Sequence, residues 1–433
     1  MRLLIDEYRD PNPPSCAPAS QHCVPRPYSA RPRGRHFAVK ATLFLTTACN
    51  LRCDYCYVQK QGASMPEDRL QKAIDFAFRV AGPVDRIDFG LFGGEPLLEW
   101  ELAQRAVALI EQRTKYSEND VRVSLVTNGT LLDDEMLRFI RDHRLILQVS
   151  IDGIPTVQDV HRRFADDRPT SGIVEKNLKA AVSALPAVLV NVVYTPDTFS
   201  YLPESAQYLA SLGLKQIVLN PDYSAKWLPE HIAGLAHVYS RLADLYVEYY
   251  LRENPLFISL IDEKIAVILR GGYEPTERCH MGYNELAFSP AGFIFPCERL
   301  VGNGQQNQHC IGHIDRPRAL SRSHCPAGGT TCRSAECQHC TVAAFCMNWC
   351  GCTNFLATGD YALASHFLCA SERLAIEAAL NVLSRDDVDH SLAYINHYAG
   401  LPMLNSSLNA VGNSLPSITP RASSGHSLPV SRP

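Results

Sequence analysis

The sequence lacks the features that mark three classes of protein. It has no run of about eighteen apolar residues, so nothing in it predicts a membrane-spanning helix. It has no basic excess, because 41 Lys and Arg stand against 45 Asp and Glu, which argues against a general nucleic-acid binder. The first residues, MRLLIDEYRDPNPP, turn acidic before any apolar core of a secretion signal has formed. We therefore expect a cytoplasmic protein.

The cysteines are numerous and unevenly placed. The chain has 433 residues, which suggests two or three domains, and 16 cysteines. In a reducing compartment disulfides are rare, so this count points first to metal or iron–sulfur sites. Cys49, Cys53 and Cys56 lie together, no cysteine follows until Cys279, and eleven then lie between Cys279 and Cys369. This distribution predicts a folded body that carries separate metal centres.

The cysteine-free middle alternates β-rich apolar runs with amphipathic helical stretches. Strands are predicted near residues 41–48, 86–94, 121–129, 145–153, 187–195 and 215–222, and helices near 67–82, 101–113, 134–143 and 174–185. The pattern predicts an α/β fold, with either an open doubly wound sheet or a partial (β/α)6 barrel of the TIM type. In both, ligands bind beyond the carboxyl ends of the strands.

The first cysteine motif is Cys49-x3-Cys53-x2-Cys56. Zinc normally needs four ligands, whereas three cysteines on a four-iron cluster leave one iron open to a substrate or cofactor. With Tyr55 at the aromatic position and a Gly-Gly-Glu-Pro turn after the second strand, the motif resembles that of the radical S-adenosylmethionine (SAM) enzymes. The resemblance implies a [4Fe–4S] cluster that binds SAM and cleaves it to a 5′-deoxyadenosyl radical.

The same resemblance implies a set of SAM contacts. Gly93, Gly94 and Glu95 would hold the methionine ammonium, and Ser150 would contact the ribose or carboxylate. Arg162 would pair with the SAM carboxylate, with Arg163 as the adjacent competitor. Three further positions carry two interpretations each. Asn128 and Asp152 fit ligand contact or turn formation, and Leu219 fits packing on adenine or an ordinary place in the core.

The second cysteine motif resembles the SPASM extension of radical SAM peptide-modifying enzymes, with zinc ligation as the alternative. Its pattern is Cys279-x12-Gly292-x4-Cys297, then Cys337-x2-Cys340-x5-Cys346-x3-Cys350, then Cys369. The resemblance implies two auxiliary iron–sulfur clusters. Cys337, Cys340, Cys346 and Cys369 would ligate one cluster, and Cys279, Cys297 and Cys350 would ligate the other. The second set lacks an evident fourth ligand, so either one iron is open, or a leftover cysteine such as Cys310 closes the site.

Several residues and segments remain outside these assignments. The cysteines without a role are Cys16, Cys23, Cys325, Cys332 and Cys352. The predicted organisation is a weakly ordered leader (1–36), a radical SAM core (37–255), an auxiliary-cluster domain (256–390) and a disordered Ser- and Pro-rich tail (403–433). Glu298 stands where sulfatase-maturing relatives carry a catalytic aspartate, and it is the candidate base.

Three functions follow from these motifs. The favoured one is a peptide maturase of the radical SAM/SPASM type, an oxidoreductase that acts on a ribosomally made peptide or protein and takes electrons from a donor such as flavodoxin or ferredoxin. The second is an anaerobic sulfatase-maturating enzyme that makes formylglycine from Cys or Ser. The third is a non-catalytic zinc or iron–sulfur binding protein. Neither a nucleic acid nor a membrane is expected as a partner.

Overall fold

A computed structural model describes most of the chain. The described residues are 38–83, 85–273, 279, 281–316, 337, 339–347, 350–388, 391, 394 and 397. The predicted leader, the predicted tail, Cys16, Cys23, Cys325 and Cys332 lie outside these residues. Within them, no helix is both long enough and apolar enough to cross a membrane.

One sheet organises the described residues, and its spatial order is β10-β9-β8-β1-β2-β3-β4-β5-β6-β7. Strands β1 to β7 run parallel, β8 joins the free edge of β1 in parallel, and β9 and β10 continue antiparallel. The strands are β1 (Ala38–Thr46), β2 (Arg86–Gly93), β3 (Val121–Thr127), β4 (Ile146–Ser150), β5 (Leu189–Tyr194), β6 (Gln216–Pro221), β7 (Phe257–Ile258), β8 (Glu285–Phe288), β9 (Phe293–Phe295) and β10 (Gly312–His313).

Helices connect the successive strands from β1 to β8, because parallel strands need a crossover connection. They are α1 (Glu67–Val80), α2 (Trp100–Thr114), α3 (Asp134–Asp142), α4 (Pro155–His161), α5 (Ser171–Ala184), α6 (Leu202–Ser211), α7 (Pro229–Leu251), α8 (Ser259–Leu269), α9 (Gly351–Thr358) and α10 (His366–Leu383). Side-chain N-caps stabilise the starts of some of these helices. The Asp133 carboxylate accepts from Met136 N at 2.8 Å to start α3, and the Ser365 hydroxyl accepts from Leu368 N at 3.1 Å to start α10.

The α/β prediction is confirmed, and the strand order decides between its two forms. β1 to β6 lie side by side in chain order, whereas a doubly wound sheet would reverse direction partway. The sheet is therefore the partial (β/α)6 arrangement, and its two ends, β10 and β7, do not close a barrel. All six predicted strands and all four predicted helices are present, with small shifts of their ends.

Period-two alternation explains why the sheet has two different faces. On β1, Ala41 and Leu43 are fully buried in the core between sheet and helices, whereas the intervening Lys40 and Thr42 line a cavity. Each fully buried leucine contributes about 1.5–3 kcal/mol, so this face stabilises the fold. The opposite, polar face is left available for ligands.

Candidate active site

A cavity of about 1060 Å³ lies on the polar face and at the carboxyl ends of the parallel strands. Every strand from β1 to β6 contributes to its wall, together with the loop after β1 and the segment that follows β9. The predicted site residues on its wall are Cys49, Cys53, Tyr55, Cys56, Gly93, Gly94, Asn128, Ser150, Arg162 and Glu298. Most of the predicted SAM-site residues therefore share one cavity.

The loop after β1 that carries the first three cysteines is fastened at several points. Arg52 N donates to the carbonyl oxygen of Arg163 at 2.9 Å, and the side chain of Asn50 donates to the Thr130 hydroxyl at 2.8 Å. Leu51 is 1% exposed and anchors the loop in the core. Burial raises the pKa of the Cys49 thiol to about 11, so an arriving metal must displace its proton.

Gly93 and Gly94 let the end of β2 approach that loop closely. A Cβ atom on Gly94 would lie 2.1 Å from the carbonyl oxygen of Ala48, and Gly93 has a φ of +147°. The Gly94 N–H donates to Thr46 O at 3.0 Å, and the Glu95 N–H donates to Ala48 O at 2.8 Å. Any side chain at these positions would displace the cysteine loop, since backbone atoms occupy the space.

Glu95 does not line the cavity, and its carboxylate is fully buried. It accepts from the Thr127 hydroxyl at 2.7 Å, from Asn128 N at 2.7 Å and from Leu97 N at 3.0 Å. Burial raises its pKa to about 7, although these three donors favour the charged form. Glu95 therefore joins the ends of β2 and β3, and both of its carboxylate oxygens accept hydrogen bonds from protein groups.

Asn128 braces the cysteine loop from the end of β3. Its amide nitrogen donates to Asn50 Oδ1 at 2.8 Å and lies 3.9 Å from the sulfur of Cys49. Its amide oxygen accepts from both the N–H and the hydroxyl of Thr130. The turn interpretation is confirmed by these bonds to Thr130, and ligand contact stays a prediction for a residue that lines the cavity.

A buried ion pair lies behind Cys53. Arg162 Nε donates to Asp152 Oδ1 at 2.9 Å, and both side chains are less than a tenth exposed. The Tyr55 hydroxyl donates to the other carboxylate oxygen, and the guanidinium of Arg162 lies 5.3 Å from the Tyr55 ring centroid. Asp152 also accepts from Val193 N at 3.0 Å. Arg162 is thus held by Asp152 at the cavity wall.

The structure distinguishes between the alternatives that the sequence left open for the arginine pair and for Leu219. Arg163 donates to the carbonyl oxygen of Asp159 and its side chain is 46% exposed, whereas Arg162 lines the cavity. Leu219 belongs to the hydrophobic core and is not on the cavity wall, whereas its neighbour Asn220 is. The alternation along β6 could have given this assignment, because adjacent strand residues face opposite sides of a sheet.

Glu298, at the start of a short 3-10 helix, shares one lysine with a second acid. Lys40 Nζ lies 2.9 Å from Glu285 Oε1 and 3.2 Å from Glu298 Oε1. Burial opposes ionisation of Glu298, but Lys40 and Arg299 outweigh it and lower its pKa to about 2. Burial and the charge of Glu298 raise the pKa of Glu285 to about 8 against the opposing effect of Lys40. Glu298 is therefore the ionised member and the one that lines the cavity.

Sequence reasoning missed Lys40, Arg299 and Tyr57 on the same wall. The guanidinium of Arg299 lies 5.7 Å from the Tyr57 ring centroid and 5.3 Å from that of Tyr223. Tyr57 follows Cys56 directly, and Arg299 lies two residues after Cys297. No motif marks these residues, because they meet only when the segment after β9 packs beside the cysteine loop.

The three cysteines predicted to share one auxiliary cluster do lie together. The thiols of Cys279 and Cys350 are hydrogen-bond partners, and Cys297 belongs to the same buried group. The group includes a further cysteine, Cys352, whose sulfur lies 3.5 Å from that of Cys350. Cys310 lies elsewhere and donates to the carbonyl oxygen of Gly312 at 3.2 Å.

The cysteines of the other predicted set lie around α10. Cys369 is in its first turn, and one turn later Arg373 donates to the sulfur of Cys340 at 3.7 Å. Glu372 accepts from Met347 N at 2.5 Å and from Lys264 Nζ at 2.7 Å, which fastens the segment that carries Cys346. The described part of Cys337-x2-Cys340 adjoins this segment. Among the described residues, no three His, Cys, Asp or Glu side chains surround a single-ion position.

Comparisons with known proteins identify related enzymes. Residues 43–209 match the family model described as the Radical SAM superfamily. The serine-type anaerobic sulfatase-maturating enzyme of Klebsiella aerogenes is 27% identical over 352 residues, which cover 75% of this chain and 82% of that protein. Residues 43–209 are therefore a radical SAM domain, and this chain is an enzyme related to the sulfatase-maturating enzymes. The family implies a [4Fe–4S] cluster together with SAM.

Two solved structures share the fold. Native anSMEcpe with bound AdoMet and Cp18Cys peptide superposes with a TM-score of 0.67 at 20% identity, over 80% of this chain and 98% of that one. Streptococcus suis SuiB bound to precursor peptide SuiA superposes with a TM-score of 0.55 at 14% identity, over 77% of this chain and 76% of that one. Because residues 43–209 match the radical SAM model and the relatives are enzymes, the non-catalytic alternative is set aside.

Proposed function

We propose that this enzyme is a radical SAM maturase that oxidises or cross-links a ribosomally made peptide or protein. The observation that carries the proposal is one cavity with the three loop thiols on its wall and Glu298 on the same wall. The cavity of about 1060 Å³ exceeds the usual upper size of a small-ligand pocket, so it has room for SAM and part of a peptide. Sulfatase-maturating anSMEcpe and SuiB, which share the fold, are both known with peptides bound.

The SAM end of the cavity is the part nearest the cysteine loop. Cys49, Cys53 and Cys56 fit a [4Fe–4S] cluster, since three thiols of one fastened loop line the cavity and the paired glycines permit close approach. When bound, that cluster supplies the electron that cleaves SAM to a 5′-deoxyadenosyl radical. Arg162, fixed by Asp152, offers its remaining guanidinium N–H groups to the SAM carboxylate. Ser150 faces the same space from the end of β4.

The substrate end contains the ionised acid. A peptide that had given up a hydrogen atom to the bound cofactor would still have to release an electron and, for most products, a proton. Glu298 accepts that proton, and Lys40, 3.2 Å away, keeps its carboxylate ionised before the transfer. In this proposal residues 37–255 form the radical SAM core, and residues 256–390 hold two auxiliary clusters that take up the electron. A flavodoxin or ferredoxin supplies the electron that starts the cycle.

A second candidate is formylglycine formation on a Cys or Ser side chain. It is favoured by the Klebsiella aerogenes relative, because the similarity extends over 82% of that serine-type sulfatase-maturating enzyme. Glu298 suits both reactions, since each needs a base beside the oxidised side chain. The two candidates differ in product. Formylglycine carries an aldehyde, whereas a cross-linked peptide carries a new covalent ring and no aldehyde.

The test is anaerobic reconstitution followed by turnover with SAM, a reductant and peptides encoded by neighbouring genes. We expect reductant-dependent 5′-deoxyadenosine and a peptide that has lost two hydrogen atoms and does not react with an aldehyde probe. A probe-reactive product would establish the second candidate instead. Glu298→Gln should still form 5′-deoxyadenosine while modified peptide falls at least about 100-fold, which is the usual minimum for loss of a general base. Absence of 5′-deoxyadenosine from the reconstituted parent would contradict both candidates.

A further inference from the structure

Cys352 has no role in the sequence motif, yet it lies inside the group of auxiliary cysteines. Its sulfur is 3.5 Å from that of Cys350, and its thiol is also a hydrogen-bond partner of Cys297. Cys279 joins the group through Cys350. The four sulfurs are therefore connected in the series Cys279, Cys350, Cys352, Cys297. Three of these residues are the predicted ligands of one cluster, and the fourth touches two of them.

The surroundings of Cys352 are those of a closed site. Cys352 is 3% exposed and Cys297 is 4% exposed, and Met281 and Leu300 pack against them. None of the four thiols lines the large cavity. Two cations, Lys40 and Arg299, interact electrostatically with Cys297 and Cys352 respectively, and they would offset the negative charge of a thiolate-bound cluster.

The position of Cys352 follows from local structure. Cys350 is the N-cap residue of α9 and Cys352 is in the first turn of that helix, and at this helix start their sulfurs lie 3.5 Å apart. Cys310, the other cysteine considered for this place, packs near Phe44 and Phe295 and bonds to Gly312. It is not a member of the four-thiol group.

We infer that Cys352 is the fourth thiolate ligand of the auxiliary cluster held by Cys279, Cys297 and Cys350. This inference rests on the proposed presence of auxiliary clusters. Its consequence is that all four irons of this cluster are capped by protein. Such a cluster can pass electrons but offers no iron to a substrate, so the peptide must be held by the side chains of the cavity.

The test uses the full chain in which Cys49, Cys53 and Cys56 are all changed to Ala, so that iron bound after anaerobic reconstitution is auxiliary iron. Cys352→Ala, Cys352→Ser and the matched control Cys310→Ala are made in this background. Iron and zinc content, electron paramagnetic resonance of the reduced protein and coupling to ¹³C-labelled cyanide are measured. Circular dichroism of each variant checks folding.

We expect the background protein and Cys310→Ala to bind equal iron and to show no cyanide coupling. Cys352→Ala should lose about half of the auxiliary iron, or keep it and couple to cyanide through the newly open iron. Cys352→Ser should keep the iron with altered g values, because oxygen replaces sulfur. Cyanide coupling in the background protein, or unchanged iron and spectra in Cys352→Ala, would overturn the assignment of Cys352 while leaving the auxiliary clusters in place. A background protein that binds zinc or no iron would overturn the auxiliary clusters as well.

Discussion

The two thiol groups of this enzyme differ in how the chain builds them. Cys49, Cys53 and Cys56 come from one short loop after β1, line a large cavity, and include an exposed member. The four-thiol group draws on separate segments between Cys279 and Cys352, is largely buried, and stands off the cavity wall. One is a site that ligands can reach, and the other is enclosed by protein.

Under the proposed function, this difference suits the two groups to different tasks. A loop fastened to a finished sheet holds its thiols near each other before metal arrives, so metal binding there costs little chain ordering. A group assembled from distant segments must order those segments, and its metal binding is coupled to the folding of the whole region. The accessible group suits chemistry on a small molecule, and the enclosed group suits electron transfer.

The largest effect should separate the two groups directly. Cys53→Ala removes one of the three proposed ligands at the accessible site, and 5′-deoxyadenosine formation should fall by more than about 100-fold, beyond the range of outer-shell changes. Cys297→Ala alters the enclosed group and should leave SAM cleavage within about tenfold of the parent while modified peptide is lost. Equal loss of SAM cleavage in both variants would show that the two groups do not have separate tasks.

The ion pair behind Cys53 gives the next largest effect. Arg162→Ala leaves the Asp152 carboxylate buried and without its guanidinium, so the free energy of unfolding should fall by about 3–5 kcal/mol, and the Kd for SAM should rise. Urea unfolding and equilibrium binding of SAM measure the two effects. Arg163→Ala, at the exposed neighbouring position, is the matched control and should change stability by less than about 0.5 kcal/mol. Similar losses in both variants would contradict the special place of Arg162.

Glu95, which joins the ends of β2 and β3, makes the free energy of unfolding of the metal-free protein depend on pH. Its pKa is about 7 in the folded chain against an ordinary 4.5, so the folded state holds this proton more tightly. The resulting stability is complete below pH 4.5 and is lost as pH rises through 7, about 3 kcal/mol in all. Relative to Glu95→Gln, the parent should therefore lose stability between pH 4.5 and pH 8 in urea unfolding. Glu101→Gln, on the exposed face of α2, should track the parent, and a pH-independent difference between parent and Glu95→Gln would refute the assignment.

The smallest expected effect is a difference in the rates at which iron leaves the two thiol groups. Under anaerobic treatment with an iron chelator, iron at the exposed loop should leave roughly tenfold faster than iron at the enclosed group, because the enclosed group needs local opening first. The capacity to form 5′-deoxyadenosine should then decay before most of the cluster absorbance is lost, which for thiolate-bound clusters lies at about 400 nm. Simultaneous decay of both signals would remove this distinction between the groups.

The sequence predicted the six-stranded core well for two reasons. Each strand has a row of apolar residues that faces the helices, and each strand pairs with its neighbour in chain order. It also predicted the cysteine loop, because a short motif directly after a recognisable strand can be identified without long-range information. Cys352 could not be assigned, because only folding brings it to Cys297. Lys40 was missed because its partners, Glu285 and Glu298, are remote in sequence. The motifs therefore did not predict contacts between segments that are distant in sequence.

The pairing of β8 with β1 also governs how this chain is made on the ribosome. Lys40–Leu43 pair with Glu285–Phe288, so one edge of the first strand has no partner until the ribosome has passed residue 288. At about 5–20 residues per second, the edge of β1 waits for roughly 10–50 seconds. An unpaired, apolar strand edge is a template for aggregation. Slow or interrupted translation in the β1-to-β8 interval should therefore lower the soluble yield of this enzyme more than the same delay after β8.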